Sequence, residues 1–347
     1  METMQIESIE EPGDAWDDFV LRSPDATLGH AAGWARVLRS AYGLSPAYLV
    51  AHSDSAVLEG VLPLVTMRGL RGERELVSLP YLDTAGVLAA SQEVADALLD
   101  HALGLARESG ARALELRALR AAGTGPGPLD RVDLVMPLES DVDAQWQAVR
   151  AKVRNQTRKA EREGLALLEL GGSAQIDAFY APFAVNMRDL GSPVHSLRFF
   201  REIARVFGDA ARFIVTGLGD VPVGGLVAIR FGDTVTIPWA STLRSERARC
   251  PNNQIYWEAL RWSVEQGARR LDFGRSPRDG GTHRFKLGWG AHEREIDWRR
   301  LAPDGQSLPL GRPGGNPALK RLSSLWTRLP VPLATLLGPH LRRRISS

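Results

Sequence analysis

The chain holds one cysteine, Cys250, among 347 residues, which excludes an intramolecular disulfide framework. Its seven histidines are scattered, so no structural zinc pattern is present either. No apolar run approaches the roughly 20 residues that cross a bilayer. The acidic start METMQIESIEEPGDAW lacks the apolar centre of a secretory signal. A formal net charge of +2 argues against a protein whose whole surface coats nucleic acid, while leaving room for a local basic patch. No glycine-rich phosphate loop opens a helix: Gly217-Leu218-Gly219 and Gly224-Gly225 fall in and beside a predicted hairpin. Asp272-Phe273-Gly274 spells a kinase metal motif, but no phosphate loop or catalytic-loop pattern precedes it. These absences leave a soluble globular chain whose default location is the cytoplasm.

What is present is an internal repeat. Phe199 to Gly208 matches Trp34 to Gly43, and Phe213-Ile214-Val215 matches Tyr48-Leu49-Val50. The next strand runs through Gly225 as its counterpart runs through Gly60. Thr236 to Trp239 matches Ser78 to Tyr81. Glu265 to Phe273 matches Glu108 to Leu116. Five matches in one order, at a nearly constant offset, imply two copies of an α/β unit. Each reads helix, strand, strand, loop, helix, strand, which predicts a mixed β-sheet flanked by helices. The Gly/Pro stretch Ala121 to Pro128 marks the boundary, giving an N-terminal domain over 1–125, a C-terminal domain over 130–305 and a tail over 306–347. One helix is predicted from Val142 to Glu163, and a strand over 57–66.

Three stretches carry candidate chemistry. The first is Leu271 to Gly290, read as a short strand broken at Gly274, then a loop and a resumption at Thr282 to Lys286. It has either a binding loop or a plain hairpin as its reading. Arg275 and Lys286 would flank that loop as two cations suited to an anionic group. The second is the basic run Arg150, Lys152, Arg154, Arg158, Lys159 and Arg162, which lacks acidic i,i+4 partners until Glu161 and Glu163. Phosphate-rich ligands would relieve its repulsion. The third is aromatic: of Trp239, Tyr256, Trp257, Trp262 and Trp289, only Trp239 and Tyr256 are kept as contact candidates, core packing accounting for the rest. The tail, with Trp326, Leu333, Leu336 and Arg342-Arg343-Arg344, reads either as packed against the body or as a contact for an anionic membrane through 317–345. Prolines argue against a helix there.

Lys152-Val153-Arg154-Asn155-Gln156-Thr157-Arg158-Lys159-Ala160 resembles the basic helix of the FemAB family, peptidyltransferases that add amino acids from aminoacyl-tRNA to peptidoglycan precursors. Asp272 to Ser276 and Thr282 to Gly290 resemble the C-terminal signature of a FemAB-like branch linked to exosortase/PEP-CTERM and exopolysaccharide loci. Pro238 to Ser241, Asn253, Tyr256-Trp257 and Asn186 to Gly191 fit that branch. The likeness covers about residues 5 to 300. It implies two tandem GNAT-like acyltransferase domains. It also implies catalytic roles for Lys286, near the transferred acyl group, and for Asp83, as a base beside the acceptor. Arg154, Asn155, Arg158, Lys159, Trp239, Asn253, Tyr256, Arg275 and Ser276 become substrate-binding candidates. The long helical arm of many tRNA-using members is missing, as no heptad run occurs.

The expected function is acyl or aminoacyl transfer to an amine or hydroxyl of a cell-envelope or exopolysaccharide precursor. Acyl-CoA or aminoacyl-tRNA would be the co-substrate, with no tightly bound cofactor and no metal. The site would be cytoplasmic, with peripheral contact at the inner face of the membrane as an option. A non-catalytic GNAT-fold scaffold binding glycan or nucleotide-sugar is the alternative. An RNA-binding protein built on the basic helix is a third reading.

Overall fold

The computed structural model describes residues 4–120, 129–310 and 317–346, excepting the side chains of 317–320. The chain divides into two compact units. One holds residues 1–131, 294–312 and 341–347, and the other 132–293 and 313–340. Residues 294–305, assigned from sequence to the second domain, therefore group with the first unit. The Gly/Pro stretches 121–128 and 311–316, with the boundary at 125, lie outside the described residues.

The first unit opens with β1 (Gln5–Ile9) and α1 (Asp14–Arg22), then a single turn at Leu28–His30 and α2 (Gly33–Tyr42). α2 buries Trp34, Val37 and Leu38 and ends at Gly43, whose φ of 64° is the left-handed conformation that favours glycine. Six short strands follow: β2 (Ser45–Pro46), β3 (Tyr48–His52), β4 (Leu58–Leu62), β5 (Val65–Arg68), β6 (Arg74–Val77) and β7 (Leu88–Ala89). They precede α3 (Gln92–Glu108) and β8 (Ala113–Leu119). The single strand expected over 57–66 is two, because Pro63 offers no N–H to a ladder. β4 joins the sheet β1-β3-β4-β7, while β5 joins a second sheet beside β2 and β6. Ser91 caps α3 by accepting from the Val94 N–H. Val94 and Leu98 then press so close to β4 that a Cβ on Gly60 would lie 2.6 Å from Val94 Cγ1. Leu49, Leu62, Leu76, Leu98 and Leu114 form the core of this unit.

The second unit runs β9 (Arg131–Pro137), α4 (Val142–Ala148), α5 (Ala151–Arg162), β10 (Leu165–Leu167), α6 (Gly172–Asp189) and α7 (Leu197–Phe207). It continues with β11 (Ala211–Leu218), β12 (Val221–Phe231), β13 (Thr234–Thr242), α8 (Pro251–Glu265), β14 (Arg270–Pro277) and α9 (Gly281–Trp289). Its strands lie in the order β10-β11-β12-β13-β14-β9. β10 to β13 pair antiparallel, whereas β13 and β14 are parallel, with α8 as the crossover a parallel pair requires. Val132, Leu134, Leu226, Ile255, Leu260 and Leu271 lie in its core.

Two expectations are corrected here. The helix predicted over Val142 to Glu163 is two helices. Val149 and Arg150 are extended, Asp141 caps the first helix, and the Arg154 guanidinium folds back onto the carbonyls of Trp146, Gln147 and Val149. Nor is Leu271 to Gly290 a hairpin. β14 continues through Gly274 to Pro277, and residues 281–289 form a helix. Phe285 and Trp289, four apart, bring that helix against Tyr256.

β15 (His292–Leu301) returns to the first unit and pairs antiparallel with β8, from Ile296↔Leu119 to Leu301↔Leu114. The tail, expected to be broken by prolines, forms α10 (Pro317–Trp326) and α11 (Val331–Arg342). Pro330 lies between them. Pro332 falls in the first turn of α11, where no intrahelical N–H bond is lost.

The duplication is visible in the elements. α2, β3, β4, β6, α3 and β8 of the first unit repeat as α7, β11, β12, β13, α8 and β14 of the second. Both copies pair their last two strands in parallel over three residues: Glu75 to Val77 with Ala113 to Glu115, and Thr234 to Thr236 with Arg270 to Asp272.

Candidate functional site

The site in the second unit begins where that three-residue ladder ends. β13 runs on to Thr242 and β14 to Pro277, but the two no longer pair beyond Thr236 and Asp272. Their backbones diverge into a wedge. β13 still pairs with β12 on its other side, so its inner edge faces the opening. Main-chain N–H and C=O groups there are obligatory hydrogen-bonding groups, and a ligand with amide groups can join them as an added strand would.

The far wall is the β14 turn. Gly274 has φ +70°, and the Asp272 carboxylate accepts from the Gly274 N–H at 2.7 Å. Lys286, 7% exposed, reaches back from α9. Its ammonium donates to the carbonyls of Gly274 (2.8 Å) and Arg275 (3.1 Å). The cation pictured as facing a ligand across a loop is thus committed to the main chain and fixes the turn. Ser276 Oγ and Trp289 Nε1 are buried with no hydrogen-bond partner, and such atoms call for an explanation. Arg275 is half-buried beside them. Tyr256 stacks on Phe273 with ring centroids 5.7 Å apart, and burial pushes its phenol well above the usual range. His283 bridges the same region: its Nδ1 accepts from the Asp279 N–H and its Nε2 meets Glu293 at 2.8 Å. The neighbouring Arg278 also pairs with Glu293.

α8 starts at the mouth of the wedge. Cys250 is left-handed, Pro251 is the first helical residue, and Asn253 is buried on the first turn. Asn253 Nδ2 lies 3.5 Å from Gln156 Oε1 of α5, which ties the basic helix to this corner. α5 buries Val153, Thr157 and Ala160 and exposes Lys152, Asn155, Arg158 and Arg162, with Lys159 half-buried. Arg158 stands over the Trp146 ring at 5.4 Å. Arg154 has a structural task instead, capping α4. Trp239 packs in an aromatic cluster with Phe199 and Phe200, centroids 5.3 and 5.5 Å away, as core packing would have it. Arg244 and Arg247, exposed just before α8, escaped the sequence reading. The signal was there in RSERARC-Pro251, a basic run ending at a helix-starting proline.

The wedge of the first copy is different, because its own chain fills it. Arg117 on β8 is fully buried and donates to the carbonyls of Leu79, Leu82 and Ser346, and it pairs with Glu115 at 2.6 Å. Its guanidinium stands 4.2 Å from the Trp298 ring. The loop after β6 is held in strained form, with Leu79 and Tyr81 at φ 55° and 74°. Tyr81 N–H also donates to Ser346 O. His30 closes the far side between the Thr27 N–H and the Gly86 carbonyl. Asp83 lies in this loop, half-buried, with its carbonyl accepting from Trp298 Nε1 at 2.8 Å.

Comparison with known proteins bears on the class. Residues 147–287 match a family model described as an acetyltransferase (GNAT) domain, a span ending one residue beyond Lys286. No curated protein matches the sequence. Among solved structures, FemX is similar in fold at TM-score 0.66 and 14% identity, covering 83% of this chain and 95% of its own. A tandem GNAT protein from the clavulanic acid biosynthesis pathway gives 0.54 and 14%, covering 89% and 100%. L-PGS from Bacillus licheniformis gives 0.53 and 12%, covering 93% and 99%. The fold is a tandem of GNAT-like α/β units, and the match to a GNAT acetyltransferase domain lies in the second of them. Across both units the fold is similar to that of FemX.

Proposed function

We propose that the second unit binds a phosphate-bearing activated acyl donor in the β13/β14 wedge and transfers its acyl group to an amine or hydroxyl of a cell-envelope or exopolysaccharide precursor. The divergence of the two strands beyond Thr236 and Asp272 carries this reading. It supplies an unpaired main-chain edge for the amide-bearing arm of acyl-CoA or for the aminoacyl ester of a tRNA. Arg244 and Arg247 at the start of α8, with Lys152, Arg158, Lys159 and Arg162 on α5, offer cations for the donor phosphates. Asn253 orients α5 toward the same corner.

In the reaction, a neutral amine nitrogen attacks the donor carbonyl carbon. A base takes the amine proton. The carbonyl electron pair moves onto oxygen, then returns as the bond to sulfur or to the ribose oxygen breaks, and the leaving group is protonated. Lys286 keeps positive charge and a fixed turn beside the developing oxyanion. In this reading Ser276 Oγ, which is buried and without a hydrogen-bond partner, donates to the acyl group. Losing one such donor typically costs about 100- to 1,000-fold in rate.

The Lys286 ammonium is bound to two carbonyls, and that favours a second reading, a scaffold that binds a nucleotide-sugar without turnover. Thermal shift of the purified protein with acyl-CoAs, aminoacyl-tRNA and UDP-sugars separates the two. Stabilisation grows as ligand exceeds its dissociation constant. A shift with one acyl donor, weakened in Arg244→Glu/Arg247→Glu, supports transfer and names the donor. A shift with UDP-sugars alone supports the scaffold.

A further inference from the structure

The described residues expose eleven large apolar side chains, and five lie in the last two helices: Leu322, Leu325, Leu333, Leu336 and Leu337, between 41% and 66% exposed. A sixth, Leu190 at 58%, adjoins them. It precedes Gly191, where an added Cβ would lie 2.1 Å from Ser323 Oγ of α10. The orientation of α11 is fixed by small residues. Ala334 and Gly338 face inward, and a Cβ on Gly338 would meet the Val194 backbone at 2.9 Å. Leu333, Leu336 and Leu337, spaced three and four apart, then form one outward stripe. Scattered exposed leucines are ordinary, but a cluster marks a contact surface.

Charge indicates what the surface meets. No Asp or Glu follows Asp304, while residues 305–347 include seven Lys and Arg. This segment therefore holds more positive charge than the chain's net surplus of +2. Arg321, Arg328 and Arg343 are exposed. Arg342 and Arg344 are engaged with Tyr81 and the Gly69 carbonyl. RNA would satisfy the arginines but leave the leucines in water. A second copy of this face would set Arg321 and Arg328 against like charges. An anionic lipid surface takes both components, the leucines among acyl chains and the arginines among phosphates. No helix among the described residues is long and apolar enough to cross a membrane, so these two would lie in its plane.

We propose that α10 and α11 form a docking face for an anionic bilayer. The contact is independent of donor and acceptor, because binding to lipid requires no acyl transfer. The test is cosedimentation of the full chain with vesicles of phosphatidylglycerol mixed with phosphatidylcholine, against vesicles of phosphatidylcholine alone. Binding to the mixed vesicles is expected, with loss at high salt. Leu336→Glu/Leu337→Glu should weaken it by at least about tenfold. Val221→Glu, at a 64% exposed position in the β11–β12 turn, should leave it unchanged. Equal binding to both vesicle types overturns the proposal, as does retention by the leucine variant. So does a fall in oligomer mass in that variant without vesicle binding, which would make the face a self-association surface. Loss of tRNA binding in Arg321→Glu/Arg328→Glu, without any lipid effect, would make it an RNA surface instead.

Discussion

Lys286 Nζ lies 2.8 Å from the carbonyl oxygen of Gly274, and this bond joins α9 to the turn of β14. With the bond to Arg275, it makes Lys286 a positioning residue as well as a charge. Lys286→Ala leaves two carbonyls in a buried turn without a donor, at about 1–3 kcal/mol each. Urea unfolding should show that loss, and turnover should fall with it. In Lys286→Arg, unfolding free energy should recover more than turnover, because a planar guanidinium cannot reproduce a point charge at the turn.

His30 gives a pH dependence. It is fully buried, and burial lowers its pKa from 6.5 to about 4. The unfolded chain takes up the proton first, so stability is unaffected above about pH 6.5. It declines as pH falls toward about 4, by roughly 1.4 kcal/mol per pH unit, and then levels off. His30→Gln should flatten that window in a series of unfolding curves. An unchanged slope would assign the decline to other groups.

Arg154 and its neighbours should separate into two kinds. Arg154→Ala uncaps the end of α4 and should cost about 1 kcal/mol. Lys152→Ala and Arg162→Ala should stay within about 0.5 kcal/mol. The same two exposed changes should weaken binding of a phosphate-bearing donor. They should also reduce its salt dependence, by about one unit of slope for each phosphate that is no longer neutralised. Melting curves and donor titrations at several salt concentrations measure both effects.

Arg117 and Glu115 form the buried pair of the first copy. Arg117→Ala strands the carboxylate and should cost about 3–5 kcal/mol in chemical denaturation. Replacing both, as Arg117→Met with Glu115→Leu, should recover part of that loss. If the double variant is no better than the single one, the carbonyls of Leu79, Leu82 and Ser346 supply the larger share of the stabilisation.

Much of the fold was legible because the repeat is written in residues with local meaning. Gly43 and Gly208 end matching helices, and Gly110 and Gly267 end the next pair, all four with positive φ. The break between α4 and α5 has no such mark. It arises at Val149-Arg150 from a guanidinium folding back, which no periodicity announces. α9 was missed because Gly280, Gly281 and Gly288 dilute its apolar pattern, and its packing on Tyr256 comes from elsewhere in the chain. Within the candidate site, Lys286 and Ser276 were marked by their motif. That Lys286 points at main-chain oxygens, and that Trp239 belongs to an aromatic core, depends on tertiary neighbours.

The pairing of β8 with β15 has a consequence for synthesis on the ribosome. β8 emerges early, and the strand that covers its edge is encoded after the whole second unit. Until residues 296–301 leave the exit tunnel, β8 presents open N–H and C=O groups, a template for pairing with other nascent chains. The first unit is thus begun first and finished last, and chains cut within or before α9 lack the strand that seals it.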